Sequence, residues 1–148
     1  MNQDNSVRRC IVAIAMVLLA VPAAFADGMV AGAAKVDITN YDAGPVNDPL
    51  YAKALVLQSG ETTLAIITVD AVAIGAIGPI GDAYLGNVRG RLEEEFGIPP
   101  SNVLVNASHC HGVVRGDTDS LTVDAVREAM RDLEPVAVGV GAGQKSHV

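Results

Sequence analysis

Apolar and polar positions follow two different spacings along the chain, one typical of strands and one typical of helices. Five segments have the apolar, β-branched content of strands and are bounded by turn-forming residues: 33–39, 50–58, 62–70, 102–108 and 136–141. In the first, Val36 and Ile38 alternate with polar neighbours, which indicates a strand with one exposed face. Ser59-Gly60-Glu61 separates the second from the third, and this spacing predicts a β-hairpin.

Two further segments repeat apolar residues every three to four positions and predict amphipathic helices. The first covers 82–96 and ends at Gly97, and the second covers 121–133 and ends before Pro135. The elements therefore follow the order β, β-hairpin, α, β, α, β. This order predicts an α/β fold, a single sheet of about five strands with two covering helices.

The residues best suited to chemistry follow the strand at 102–108. His109, Cys110 and His111 come directly after it and before Gly112, and α/β proteins place functional residues at such strand ends. In an extended chain, residues two apart share a face, so we expect the two imidazoles to face one space while Cys110 faces away. Such a histidine pair could meet one cation.

Asp70 ends another apolar strand and is a second candidate. Its carboxylate either caps the turn or helix that comes next, or lines the same cleft as the histidines. In the second case we expect it to act through a neighbour, by holding an imidazole or a backbone amide. Both roles are open from the sequence.

The amino-terminal residues have the pattern of a secretory signal peptide. Arg8 and Arg9 precede the apolar run 10–21, and Ala24-Phe25-Ala26 forms a small-x-small cleavage site. The run is shorter than the roughly 20 residues that a membrane span needs. We therefore expect cleavage at about Ala26/Asp27, a secreted or periplasmic protein without a stable membrane span, and an α/β domain over 27–148.

Charge and cysteine content narrow the function classes. The formal net charge of −7 argues against nucleic acid and against anionic membrane surfaces as partners. Of the two cysteines, Cys10 leaves with the signal peptide, so Cys110 has no partner for an internal disulfide. Three roles remain open for it: a small buried hydrophobic residue, a metal ligand, or a nucleophile activated by a neighbouring histidine.

Three motifs together resemble the amino-terminal part of the neutral/alkaline non-lysosomal ceramidases and their bacterial relatives. They are Gly32-Ala-Ala-Lys-Val-Asp-Ile-Thr39, Thr68-Val-Asp70, and Asn102-Val-Leu-Val-Asn-Ala-Ser-His-Cys-His111. The resemblance implies a zinc amidohydrolase that acts on a small-molecule or lipid amide, releasing a fatty acid and a sphingoid base from an N-acyl sphingolipid. It also implies that His109 is a zinc ligand and that His111 contacts substrate or stabilises developing charge.

The chain departs from that family pattern in two places. The family motif Thr-His-Thr-His-Ser-Gly-Pro is Ser108-His-Cys-His-Gly-Val-Val114 in this chain, and the other zinc ligands of the family (a His, a Glu and a Tyr) lie farther downstream than residue 148. We therefore expect the leading part of a hydrolase, inactive alone, whose remainder is encoded downstream. The alternatives are a secreted metal- or ligand-binding domain without catalysis, and a Cys-His thiol enzyme.

Overall fold

One mixed sheet of five strands, with two helices against it, is formed by residues 28–143, the part of the chain that the computed structural model describes. The strands are β1 (Val30–Asp37), β2 (Tyr51–Ser59), β3 (Thr62–Val69), β4 (Val103–Ala107) and β5 (Glu134–Pro135), and the helices are α1 (Tyr84–Phe96) and α2 (Thr118–Arg131). The strand order across the sheet is β4-β3-β2-β1-β5. The predicted α/β fold, with about five strands and two covering helices, is confirmed.

Strand pairing places the carboxyl ends of β3 and β4 side by side. β1, β2 and β3 pair antiparallel in sequence, and the hairpin between β2 and β3 closes with Ser59 opposite Thr62, as predicted. The chain then crosses through α1 and pairs β4 with β3 in parallel, with Val69 opposite Ala107. Asp70 and the residues after Ala107 therefore leave the sheet at the same edge.

Helix α2 lies directly on β1 because Gly32 has no side chain. A Cβ at residue 32 would stand 1.9 Å from the carbonyl oxygen of Ala129, which no side chain tolerates. The buried face of the helix carries small and β-branched residues: Thr118, Thr122, Val123, Ala125, Val126 and Ala129. This close approach lets the alternate residues of β2 and β3 that face the helices be fully buried.

Helix α1 is joined to α2 by a buried hydroxyl pair. Thr122 Oγ1 donates its proton to the carbonyl of Thr118, so the Tyr84 hydroxyl, 2.7 Å away, is the donor to Thr122 Oγ1. Burial raises the pKa of Tyr84 to about 12. At its other end the helix stops at Gly97, whose left-handed backbone (φ 67°) lets the N–H of Ile98 reach the carbonyl of Leu92.

The last predicted strand is wrong. Pairing with β1 is confined to Glu134 and Pro135, and Val136 adds one hydrogen bond to the carbonyl of Met29. Because β1 begins at Val30, the described part of the chain offers no strand opposite residues 137–141, and these residues are exposed. The alternating valines of this segment predict a strand, but a strand forms only where a partner is in register.

Two sequence predictions lie outside the described residues. These are the signal peptide at 1–26, which includes Cys10, and the domain boundary at residue 27. Within residues 28–143, neither helix has the length and apolar content needed to cross a bilayer.

Candidate functional site

Asp70 lies at the carboxyl end of β3 and is held by three donors. Its carboxylate accepts hydrogen bonds from the Tyr51 N–H (3.1 Å), the Ser108 hydroxyl (2.9 Å) and the Lys53 ammonium (2.9 Å). Burial raises the pKa of this carboxyl, but the hydrogen bonds from Lys53, Ser108 and Tyr51 outweigh it and leave the pKa below its ordinary value. Asp70 is therefore ionised at neutral pH.

These contacts bear on the two roles that the sequence leaves open for Asp70. It caps no helix, because α1 begins only at Tyr84. It holds a backbone amide, that of Tyr51, which is one of the two partners expected from the sequence, and none of its hydrogen bonds is to an imidazole. Through Ser108 it instead fixes the residue before the first histidine.

The backbone turns at His109 into the left-handed region. Its φ is 62°, whereas the extended strand β4 ends two residues earlier at Ala107. The imidazole Nδ1 lies 2.9 Å from the carbonyl oxygen of Val72, and because a carbonyl only accepts, Nδ1 carries the proton. In the neutral ring the lone pair is therefore on Nε2, which has no hydrogen-bond partner among residues 28–143.

The two imidazoles lie against each other. The ring centroids of His109 and His111 are 5.1 Å apart and the ring planes are 89° apart, an edge-to-face arrangement. Both side chains are exposed. The structure therefore brings together the two histidines that the sequence predicts as neighbours, although by a turn and not by a shared strand face.

A pocket of about 580 Å³ opens beside His111. Asp70 and Cys110 also line it, whereas His109 does not. The alternation of faces expected from an extended chain therefore fails at these residues, since the left-handed turn at His109 reorients the backbone from Cys110 onwards. Cys110 is half-buried and packs against the hydrophobic core, which agrees with its role as a small hydrophobic residue.

The opposite wall of the pocket is the loop between β1 and β2, which the sequence predicts only as a turn-rich connection. Thr39 anchors it by accepting a hydrogen bond from the Leu50 N–H (2.7 Å), and Asp37 accepts from the Thr39 N–H (2.8 Å). The Asn40 N–H donates to the carbonyl of Val113, which ties this loop to the segment after the histidines.

The polar residues of this loop were missed as site residues. Asn40, Asn47 and Asp48 line the pocket. The high content of Asn, Asp and Pro over residues 40–49 predicts a turn. The sequence of this loop does not indicate which strand end the loop packs against.

Gly112 sets the width of the pocket on the histidine side. A Cβ at residue 112 would stand 2.6 Å from Leu50 Cδ1, so the loop and the histidine segment approach as closely as a glycine permits. Any side chain here would have to displace Leu50, a buried core residue.

The histidines fit part of a zinc site. Zinc takes imidazole nitrogen, and a catalytic site needs about three protein ligands and one open position. His109 has the arrangement typical of a zinc ligand, with one ring nitrogen fixed by a backbone carbonyl and the other unused. Residues 28–143 contain no group of three or more His, Cys, Asp or Glu side chains able to hold an ion, so this part of the chain does not complete such a site.

The chain shares its fold with part of two solved ceramidase structures. It matches the crystal structure of neutral ceramidase from Pseudomonas aeruginosa with a TM-score of 0.61 at 18% sequence identity, and a ceramidase complexed with C2 with a TM-score of 0.57 at 20% identity. Each match covers 73% of this chain and 22% of the ceramidase chain. No protein-family model matches the chain, and no curated protein matches it by sequence. The comparison therefore establishes a common fold over about a fifth of the length of those ceramidases.

Proposed function

We propose that this chain is the leading part of a secreted or periplasmic zinc-dependent amide hydrolase of the ceramidase type. Its substrate would be an N-acyl sphingolipid, cleaved to a fatty acid and a sphingoid base. The observation that carries the proposal is the geometry of the histidine pair. The His109 ring is fixed through Nδ1, which leaves Nε2 for a ligand. This ring lies edge-to-face with the His111 ring, and His111 lines a pocket of about 580 Å³. The fold shared with the ceramidases supports it.

His109 is the proposed metal ligand. The Val72 carbonyl holds the ring in the tautomer whose Nε2 lone pair can bind a cation. Zinc at such a position supplies Lewis-acid activation of an amide carbonyl and of water.

His111 is the proposed substrate-side group. Its exposed ring lines the pocket, and the His109 ring lies next to it, 5.1 Å away from centroid to centroid, so an amide bound in the pocket would contact His111 directly. A protonated imidazole can donate a hydrogen bond to the oxygen on which negative charge develops during amide cleavage. This role needs only donation and no change in the position of the ring.

Asp70 is proposed to position the histidine segment. Its ionised carboxylate holds the Ser108 hydroxyl directly before His109, and Lys53 balances its charge. The remaining wall of the catalytic site, with the ligands that residues 28–143 do not supply, would come from other residues of the hydrolase. The isolated chain would then bind zinc weakly and would not hydrolyse amides.

A zinc titration tests the proposal. Purified protein is titrated with zinc by isothermal calorimetry, and retained metal is measured by mass spectrometry. We expect weak binding of one zinc per chain, with loss of binding in His109→Ala and near wild-type binding in Cys110→Ala. His147→Ala is the matched control, because His147 is the remaining histidine of the chain and lies outside the site motif.

Other results would favour the alternatives. Equal loss from His109→Ala and Cys110→Ala would contradict the assignment of His109 as the ligand of this motif. Absence of zinc binding, together with alkylation of Cys110 at a pH well below the ordinary thiol pKa, would favour a thiol enzyme. Tight stoichiometric zinc without activity, even when the downstream reading frame is co-expressed, would favour a metal-binding domain without catalysis.

A further inference from the structure

The pocket beside His111 has an unbalanced negative charge. Its ionisable lining consists of Asp48, Asp70, Cys110 and His111, and no lysine or arginine of the described residues lines it. Lys53 balances the charge of Asp70 and is not itself part of the lining. Asp48 makes no ion pair with any other described residue, so its carboxylate is available to a ligand in the pocket.

The uncharged side chains of the lining can bind hydroxyl groups. Asn40 uses its side-chain oxygen to accept the Asp42 N–H (3.1 Å), which leaves its NH₂ group to donate to a ligand. Asn47 carries both an amide oxygen and an NH₂ group. Two exposed valines, Val46 and Val113, also line the pocket and can contact hydrocarbon. The lining therefore suits an amphiphile whose head carries hydroxyl groups and a positive charge.

The amide proposed as the substrate has two unlike sides. The acyl side is hydrocarbon, whereas the amine side carries hydroxyl groups next to the nitrogen. Hydrolysis breaks the C–N bond, the hydroxyl of water is added to the carbonyl carbon, and the remaining proton goes to the nitrogen. At neutral pH the acid so formed passes its own proton to the amine, because an alkylamine has a pKa near 10 and a carboxylic acid a pKa near 4. The acyl side therefore leaves as an anion and the amine side as a cation.

We propose that the pocket beside His111 takes the amine side of the amide, and that Asp48 is the residue that selects it. The inference rests on the proposed function, in which His111 contacts the amide carbonyl. His109, the proposed metal ligand, does not line the pocket. The carbonyl therefore lies at the His111 end of the pocket, and one side of the amide extends from there towards Asp48.

Charge and hydrogen bonding both favour the amine side in this position. The Asp48 carboxylate attracts an ammonium group and accepts hydrogen bonds from hydroxyl groups, whereas it repels a carboxylate. A hydrocarbon acyl chain would displace water from Asn40, Asn47 and Asp48 without replacing the hydrogen bonds, which lowers its affinity. Hydroxyl groups of the amine side replace those hydrogen bonds.

Binding of soluble product analogues to the purified protein tests this without catalysis and without metal. The probes are octylamine, its dihydroxylated analogue and octanoate, titrated by heteronuclear NMR at an ionic strength of about 0.15 M, where distant charges are screened. We expect the dihydroxylated amine to bind most tightly and octanoate most weakly. Asp48→Asn should weaken binding of both amines about two- to fivefold, as expected for an ion pair at an exposed carboxylate, and should not weaken binding of octanoate.

Asp42→Asn is the matched control. It removes the same charge from the same loop, but Asp42 does not line the pocket, so the three affinities should stay unchanged. Octanoate binding as tightly as octylamine overturns the proposal, as does equal weakening by Asp42→Asn and Asp48→Asn or an absence of amine binding at millimolar concentrations.

The zinc titration separates this inference from the proposed function. Zinc binding through His109 together with a preference for octanoate would overturn the orientation of the substrate alone. A preference for the amines that depends on Asp48, in a protein that binds no zinc, would refute the metal role of His109 and confirm Asp48 as the residue that selects the amine.

Discussion

Replacing Asp70 by asparagine removes the one charge that joins β2, β3 and the histidine segment. Asparagine keeps the shape of the side chain but carries no charge, so the ionic hydrogen bond to Lys53 is lost. Its amide also has only one oxygen: either the NH₂ group faces the Ser108 hydroxyl, or it faces the Tyr51 N–H, and in the second case two donors oppose each other. Hydrogen bonds to a charged group contribute about 1.5–3 kcal/mol each, and the three are not additive. Lys53 is 47% exposed, so its contribution is screened by water. We expect Asp70→Asn to lower the free energy of unfolding by about 2–3 kcal/mol at pH 7.

Urea denaturation followed by circular dichroism measures this change, and Asp117→Asn is the control. Asp117 also pairs with an arginine, Arg115, but both side chains are 49% exposed, so we expect a change of less than about 1 kcal/mol. The pKa of Asp70 is lower in the folded protein than in the unfolded chain. The ionised carboxylate therefore contributes its full stabilisation of the fold above the ordinary carboxyl pKa, and this contribution is lost as the pH falls through the folded pKa. Wild type and Asp70→Asn should therefore converge in stability once the pH is below the folded pKa of Asp70. A difference that persists there, or a loss at pH 7 no larger than that of the control, would refute the reasoning.

Three further changes have defined outcomes. Gly32→Ala should lower the free energy of unfolding by about 3 kcal/mol or more, because the new Cβ would stand 1.9 Å from the Ala129 carbonyl oxygen. Calorimetry measures this as a lower thermal midpoint, and Gly28→Ala, with open space around it, is the control. Tyr84→Phe should lower the free energy of unfolding by about 1 kcal/mol, since the Thr122 hydroxyl loses a donor but keeps its hydrogen bond to the Thr118 carbonyl. In a spectrophotometric titration of the variant, the tyrosine ionisation with a pKa of about 12 should be absent. His109→Gly should be more stable than His109→Ala by about 1 kcal/mol in chemical denaturation, because only glycine takes a φ of 62° without strain.

The sequence is most informative where pairing is local or where apolar content alone decides burial. The β2–β3 hairpin follows from a polar break between two apolar runs, and it closes one residue inside that break, with Ser59 opposite Thr62 and Gly60 and Glu61 in the turn. The strand content of β4 and the glycine stop of α1 at Gly97 are equally local signals. The parallel pairing of β3 with β4, which juxtaposes Asp70 and the histidines, follows from the crossover helix between them.

Prediction fails where one residue adopts a conformation that its type rarely takes. A histidine with positive φ has no sequence signal, since a few per cent of non-glycine residues adopt this conformation, and alternation along an extended chain therefore puts Cys110 on the wrong side. The segment 136–141 fails for a different reason. Its alternating valines are compatible with a strand, but pairing depends on a neighbour that the described part of β1 does not provide.

The turn at His109 leaves the register of the parallel ladder unchanged. The N–H of Ser108 donates to the carbonyl of Val69 and that of Cys110 to the carbonyl of Ala71, so the ladder with the chain after β3 continues on both sides of His109. At the positive φ of His109 the ring is directed to the Val72 carbonyl, and it does not line the pocket that Cys110 joins. Glycine would adopt this backbone conformation with less strain than histidine, by about 1 kcal/mol. The metal titration therefore bears most directly on His109, which combines a positive φ with an Nδ1 fixed by the Val72 carbonyl.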